Sequence, residues 1–215
     1  MDASLIPSLT PLFADDALLV FDKPAGLLSV PGRGPEHQDC LARRAQAIYP
    51  EARTVHRLDM ATSGLILMAR GPAMERALSR LFAERQVEKT YIACVAGQLQ
   101  SIAGEIDLPL ICDWPNRPRQ KVDFEIGKPS LTHYRCLAYS PETNTSRLEL
   151  TPYTGRSHQL RVHLSAIGHP ILGDTLYAPP EVQAQAPRLL LHASRLAFTH
   201  PVTQETLQFE SPAGF

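Results

Sequence analysis

No apolar run in this 215-residue chain approaches the ~20 residues that a membrane-spanning helix requires. Neither sign of charge dominates: 21 lysines and arginines face 22 aspartates and glutamates, for a formal net charge of -1. Total charge therefore announces no nucleic-acid partner, although a neutral sum can hide a basic face opposite an acidic one. Cysteine is sparse. Cys40, Cys94, Cys112 and Cys136 lie far apart with no Cys-x-x-Cys pair, which argues against a zinc knuckle and suits a reducing compartment. The N-terminal stretch carries Asp2 where a secretion signal needs positive charge, and Pro7 and Pro11 interrupt its apolar residues. A soluble, cytoplasmic protein is expected. Also missing are a Gly-x-Ser-x-Gly elbow after a strand and a Gly-x-x-x-x-Gly-Lys phosphate loop, which disfavours serine hydrolase and nucleotide-driven chemistry.

What is present has the size and make-up of one globular domain, or of one domain with two lobes, at 44% hydrophobic and 20% charged residues. Strands and helices alternate along it. "ALLVFDKP" (17–24) reads as a buried strand stopped by Pro24, and "GLLSVPG" as a turn into a second extended piece. Leu41, Ala45 and Ile48 predict a helix over 38–48. "GLILMAR" (64–70) reads as a central strand, and Pro72 then opens a helix over 72–86 carried by Met74, Ala77, Leu78, Leu81 and Phe82. "KTYIACVAG" follows as a strand. Residues 104–130, with Pro109, Pro115, Pro118, Gly127 and Pro129 among Ile111, Trp114 and Phe124, are expected as ordered loops. "THYRCLAY" and "SRLELTPY" predict further strands, and Leu160, Leu164 and Ile167 a second helix over 157–167 ended by Gly168. "RLLLHASRLAFTHP" and "TLQFESP" close the chain as strands. The sum is an α+β domain on a large mixed sheet.

Among eight histidines, His158 and His163 share the second helix. A separation of five sets them about 140° apart, so they do not clasp one ion, and no metal site is expected. The residues left over for chemistry stand in "VHRLDMATSGL" (55–65), "EKTYIA" (88–93) and "TGRSHQLRVH" (154–163). By residue type alone, Asp59 beside Arg57 also fits an ordinary ion pair or turn cap.

Taken together, "KPAGLLSVPG", "VHRLDMATSGL", "DWPNRPRQK", "TGRSHQLRVHLSAIGHPILGD" and "LLLHA" resemble the RluA-type pseudouridine synthases over nearly the whole chain, and most closely their short members that modify both tRNA and large-subunit rRNA. The resemblance implies a pseudouridine synthase catalytic fold: a mostly antiparallel mixed sheet in two lobes with flanking helices, and an active-site cleft across the sheet. It implies a single catalytic domain over 17–215, with residues 1–16 an N-terminal extension that leaves no room for the S4-type RNA-binding domain of longer relatives. The implied nucleophile is Asp59. Tyr91 would stack near the target ring, Arg161 would pair with the nucleophile, Arg57 would help displace the base, and Leu190 would wall the pocket.

That cast suits the isomerisation of uridine to pseudouridine, which breaks the N1–C1′ bond, turns the uracil and rejoins it through C5. No cofactor is required. A carboxylate can attack C1′ or C6, or remove a proton in an elimination, and the residue types do not choose. Asp59 must be ionised in a pocket that has shed its water, which burial opposes and a nearby guanidinium favours; the planar fork of Arg161 would grip both carboxylate oxygens. Base extrusion costs a few kcal/mol, so single-stranded loops are the cheapest targets. The implied partners are tRNA, at its anticodon stem-loop, and 23S rRNA stem-loops, met by a monomer. Arg33 and the Pro-braced loop holding Asn116, Arg117, Arg119 and Lys121 are the expected RNA contacts. Arg43 and Arg44 fit either that role or a solvated face.

Overall fold

The computed structural model describes residues 9–215, so residues 1–8 of the expected extension lie outside the described residues. Its first lobe is built on a pair of strands, β2 (Leu18–Lys23) and β4 (Ser63–Arg70), antiparallel with Leu18 opposite Ala69 and Lys23 opposite Gly64. Strands alternate their side chains, and here both faces are covered. Leu19, Phe21, Ile66 and Met68 pack against α1 (Leu41–Ile48), while Leu18, Val20, Leu65 and Leu67 pack under α2 (Gly71–Ala83). Burial on both faces explains why these strands read as apolar runs rather than as alternation. Pro72 sits in the first turn of α2, where its missing N–H costs nothing.

The sheet continues as β1-β2-β4-β11-β5-β10-β9-β6, with β3 (Ala52–Thr54) against β4 and β12 (Thr206–Glu210) against β11. In this order β1 is Phe13–Ala14, β5 Glu88–Ala96, β6 Ala103–Asp107, β9 Leu131–Ser140, β10 Thr145–Pro152 and β11 Leu191–Thr199. Among the described strands β4 and β11 form the one parallel pair, and the rest of this ten-stranded sheet is antiparallel. The second lobe buries Ala93, Val95, Leu148 and Leu150 against Leu160 and Leu164 of α3 (Gln159–Ala166). At the seam, Gly64 adopts a φ of 109°, and a Cβ there would stand 2.3 Å from the carbonyl oxygen of Ala193. Only glycine lets β4 and β11 approach so closely. The mostly antiparallel α+β sheet in two lobes is the architecture that the motifs led one to expect.

Three details differ. Residues 104–130 are not only loops: they supply β6 and a hairpin of β7 (Leu110–Cys112) and β8 (Gln120–Val122) around a 3-10 turn at Trp114–Asn116. Strands of three to five residues show too little periodicity to be read, and Gly104 stands within β6 itself. Trp114 and Phe124 stay 64% and 76% exposed rather than anchoring that segment. Lastly, Phe13–Ala14 pairs with β2, so the chain joins the sheet within the stretch expected to be an extension. No helix of the described residues is long and apolar enough to cross a membrane.

Candidate active site

Asp59 stands on the loop between β3 and β4, and the main chain on either side of it is pinned. The Ser29 hydroxyl donates to Leu58 O at 2.7 Å and accepts from Leu58 N at 3.1 Å. The fully buried Lys23 ammonium donates to the carbonyls of Leu27 (2.7 Å), Pro24 (2.9 Å) and Met60 (3.2 Å). Burial lowers the Lys23 pKa from 10.5 to about 8, against the smaller opposing pull of Asp59. Between those two values the unfolded chain holds a proton that the folded chain does not, so folding is favoured progressively as pH rises from about 8 to 10.5. In urea unfolding at several pH values, the stability of wild type relative to Lys23→Met is expected to rise across that window. A flat difference would show that the ammonium is not desolvated.

Arg161 comes from the first turn of α3, 4% exposed. Its planar fork does not grip Asp59, as the sequence led one to expect. Nε and Nη2 donate to the two carboxylate oxygens of buried Asp174, at 2.8 and 2.7 Å, and only Nη1 turns to Asp59 Oδ2, at 3.4 Å. Asp174 also accepts from the N–H groups of Leu176 (2.9 Å) and Tyr177 (3.2 Å), so the arginine is held from behind. Nothing in the sequence patterns singled out Asp174, although "ILGD" closes the longest of the matching segments.

His158, also unanticipated as a site residue, precedes α3 in the left-handed conformation, φ 53°. Its Nε2 stands 3.8 Å from Asp59 Oδ1, and its Nδ1 is 2.7 Å from the Tyr177 hydroxyl. That hydroxyl also accepts from Gln120 N at 2.8 Å, so it is held in place between the β8 main chain and the imidazole and orients the ring toward Asp59. Desolvation lowers the His158 pKa and favours its neutral form, with Asp59 opposing. Tyr177→Phe is expected to leave the fold intact at a cost of about 1–2 kcal/mol. It should slow single-turnover reaction several-fold without weakening RNA binding, because the imidazole loses the hydroxyl that orients it beside Asp59.

Asp59, Tyr91 and Arg161 line one cavity of about 100 Å³, with Arg57 at its rim. Tyr91 lies opposite Leu150 and Ala193 in the sheet and packs against the cores of both lobes. Burial, and then the Asp59 charge, push its phenol pKa up, so the hydroxyl keeps its proton. The side chain that walls the cavity from β11 is Leu191; Leu190, one residue before the strand, does not line it, and both pack in the second-lobe core.

A wider cleft of about 750 Å³ opens on the other side of Asp59, and Arg33, Arg57, Arg117 and Arg161 line it. Of the remaining expected RNA contacts, Asn116 donates to Asp113 (2.9 Å) and Lys121 pairs with Asp123 (3.3 Å), while Arg119 lies over the Tyr177 ring. None of these three lines the cleft. Arg44 is neutralised by a two-point pair with Asp39. His163 is buried on Thr132 and Leu108, facing away from His158.

Comparison with known proteins gives one answer throughout. A family model described as RNA pseudouridylate synthase matches residues 17–166. The chain is 56% identical over 209 residues to the dual-specificity RNA pseudouridine synthase RluA of Escherichia coli strain K12, covering 97% of this chain and 95% of that one. It is 54% identical to the protein of the same description from Pasteurella multocida strain Pm70, with the same coverage. Among solved structures, human RNA Pseudouridylate Synthase Domain Containing 1 superposes with a TM-score of 0.80 at 29% identity, over 99% of this chain and 86% of that one. Human RNA Pseudouridylate Synthase Domain Containing 4 gives 0.75 at 26% identity, over 94% and 88%.

Proposed function

The chain belongs to the RNA pseudouridylate synthase family and is an RNA pseudouridine synthase, an isomerase; on that premise we propose that Asp59 is its reagent and that it modifies uridines in both tRNA and 23S rRNA. The observation that carries the catalytic reading is the single-ring cavity in which a carboxylate, a protonated phenol and a guanidinium meet. A uridine extruded from its stack would lie with the uracil against the Tyr91 ring and the ribose toward Asp59. The N1–C1′ bond breaks, the base turns, and C5 bonds to C1′ as the C5 proton leaves and N1 gains one. Electrons and atoms balance without any external oxidant. Arg161 Nη1 holds negative charge on Asp59, while the fork behind it keeps the guanidinium from following the substrate.

Action on two RNAs is supported by the description shared by the two bacterial relatives and by the cationic cleft beside Asp59. Residues 17–215 act as one catalytic domain, and Arg33, Arg57 and Arg117 hold the RNA backbone. On this proposal the enzyme meets its RNAs in the cytoplasm as a monomer. Incubation with an anticodon stem-loop and with a 23S rRNA hairpin, each tritiated at uridine C5, tests this reading. Release from both supports it, release from one alone reduces the enzyme to a single-substrate synthase, and release from neither refutes it.

A further inference from the structure

A second pocket, of about 560 Å³, adjoins the catalytic cavity and shares Arg57, Lys89, Tyr91 and the 154–156 turn with it. Its other walls are the end of α2, at Phe82, and the exposed residues Arg85 and Tyr153. Four cations line it, Arg57, Arg85, Lys89 and Arg156, and no aspartate or glutamate does. None of the four has a carboxylate partner among the described residues, whereas Arg44, Arg53, Arg70, Arg135 and Arg161 each have one. Lys89 is half-buried besides, and burial alone lowers its pKa. Facing the same space, His56 adds no charge: burial holds its pKa near 3, and its Nε2 accepts from Leu67 N. Converging cations without counter-charges, one of them half-buried, favour an anion.

The pocket also offers a flat surface. Tyr153 is 50% exposed, and the Arg85 guanidinium stands 4.4 Å from its ring centroid. A tyrosine braced by an arginine is the kind of platform on which unpaired bases stack. Extruding a uridine strips its neighbour of a stacking partner, and a second aromatic surface one step along the strand would return part of that loss.

We propose that this pocket binds the nucleotide adjoining the target uridine, its phosphodiester among Arg85, Lys89 and Arg156 and its base against Tyr153. The assignment rests on the proposed activity on RNA. It makes recognition a capture of two neighbouring nucleotides rather than of one flipped base.

The test uses the full-length enzyme and hairpins that carry an uncharged methylphosphonate at one linkage on either side of the target uridine. Arg85→Asn is the matching variant; its side chain is exposed and lies outside the catalytic cavity, and asparagine tolerates the φ of 60° at position 85. One of the two linkages should weaken wild-type binding about tenfold by fluorescence anisotropy. In Arg85→Asn that penalty should fall to about threefold or less, the log-log salt dependence should drop by about one, and the single-turnover rate at saturating RNA should stay within about threefold. In the same way, Tyr153→Leu should erase the penalty of an abasic neighbour. Equal penalties in wild type and variants, or none at either linkage, overturn the pocket. Absence of tritium release from the unmodified hairpin with wild type would instead refute the proposed function, and the pocket's role with it.

Discussion

Asp59→Asn is expected to lower single-turnover release of tritium from uridine C5 by about 10⁴-fold or more, the scale on which loss of a nucleophile is felt. RNA affinity by anisotropy should stay within about threefold. The substitution keeps the shape of the side chain, and the bonds that hold the loop come from Ser29 and Lys23 to the main chain of Leu58 and Met60, which asparagine leaves untouched. Arg161 remains tied to Asp174. What disappears is the negative charge that attack at C1′, attack at C6 and proton removal all demand. A variant within a hundredfold of wild type would remove Asp59 from the chemistry altogether.

The second large effect belongs to a residue that never meets the substrate. Asp174 is 1% exposed and accepts four hydrogen bonds, two of them from a guanidinium that is itself 4% exposed. Asp174→Asn leaves that guanidinium buried beside an amide, and removing one partner of a buried pair costs about 3–5 kcal/mol. Urea unfolding should show the loss directly. Under conditions where the variant is still folded, turnover should fall by a further ~10²-fold, because a guanidinium released from behind no longer presents Nη1 to Asp59. The paired change Asp174→Leu with Arg161→Met separates the two contributions. Apolar side chains of similar bulk should recover much of the stability and none of the turnover. Recovery of turnover in that double variant would make the pair a structural prop only.

Legibility in the sequence followed how local the cause was. The strands β2, β4, β5, β9, β10 and β11 could be read within a few residues, because burial on one or both faces leaves its mark on neighbouring side chains. Pro72 announced the start of α2 for a reason confined to one turn. Asp59, Tyr91 and Arg161 are widely spaced in the chain, and no periodicity links them; shared motifs did, and the structure brings them to one cavity. The partnership of Arg161 with Asp174 stayed hidden because it depends on how the loop after α3 folds back, and the step from Leu190 to Leu191 because it depends on where β11 begins. Asn116, Arg119 and Lys121 looked available as residue types, yet each has a neighbour that engages it. Charge in a sequence counts side chains, not the ones left over after pairing.

The Asp59 loop is bolted through its backbone, whereas the carboxylate has one long 3.4 Å contact to Arg161 and a histidine nitrogen at 3.8 Å. Such a group is anchored at its root and loosely tethered at its tip. On the proposed role of Asp59, a shift of a fraction of an ångström can occur while the scaffold stays still, which would confine the stroke of the reaction to a few rotatable bonds in one side chain.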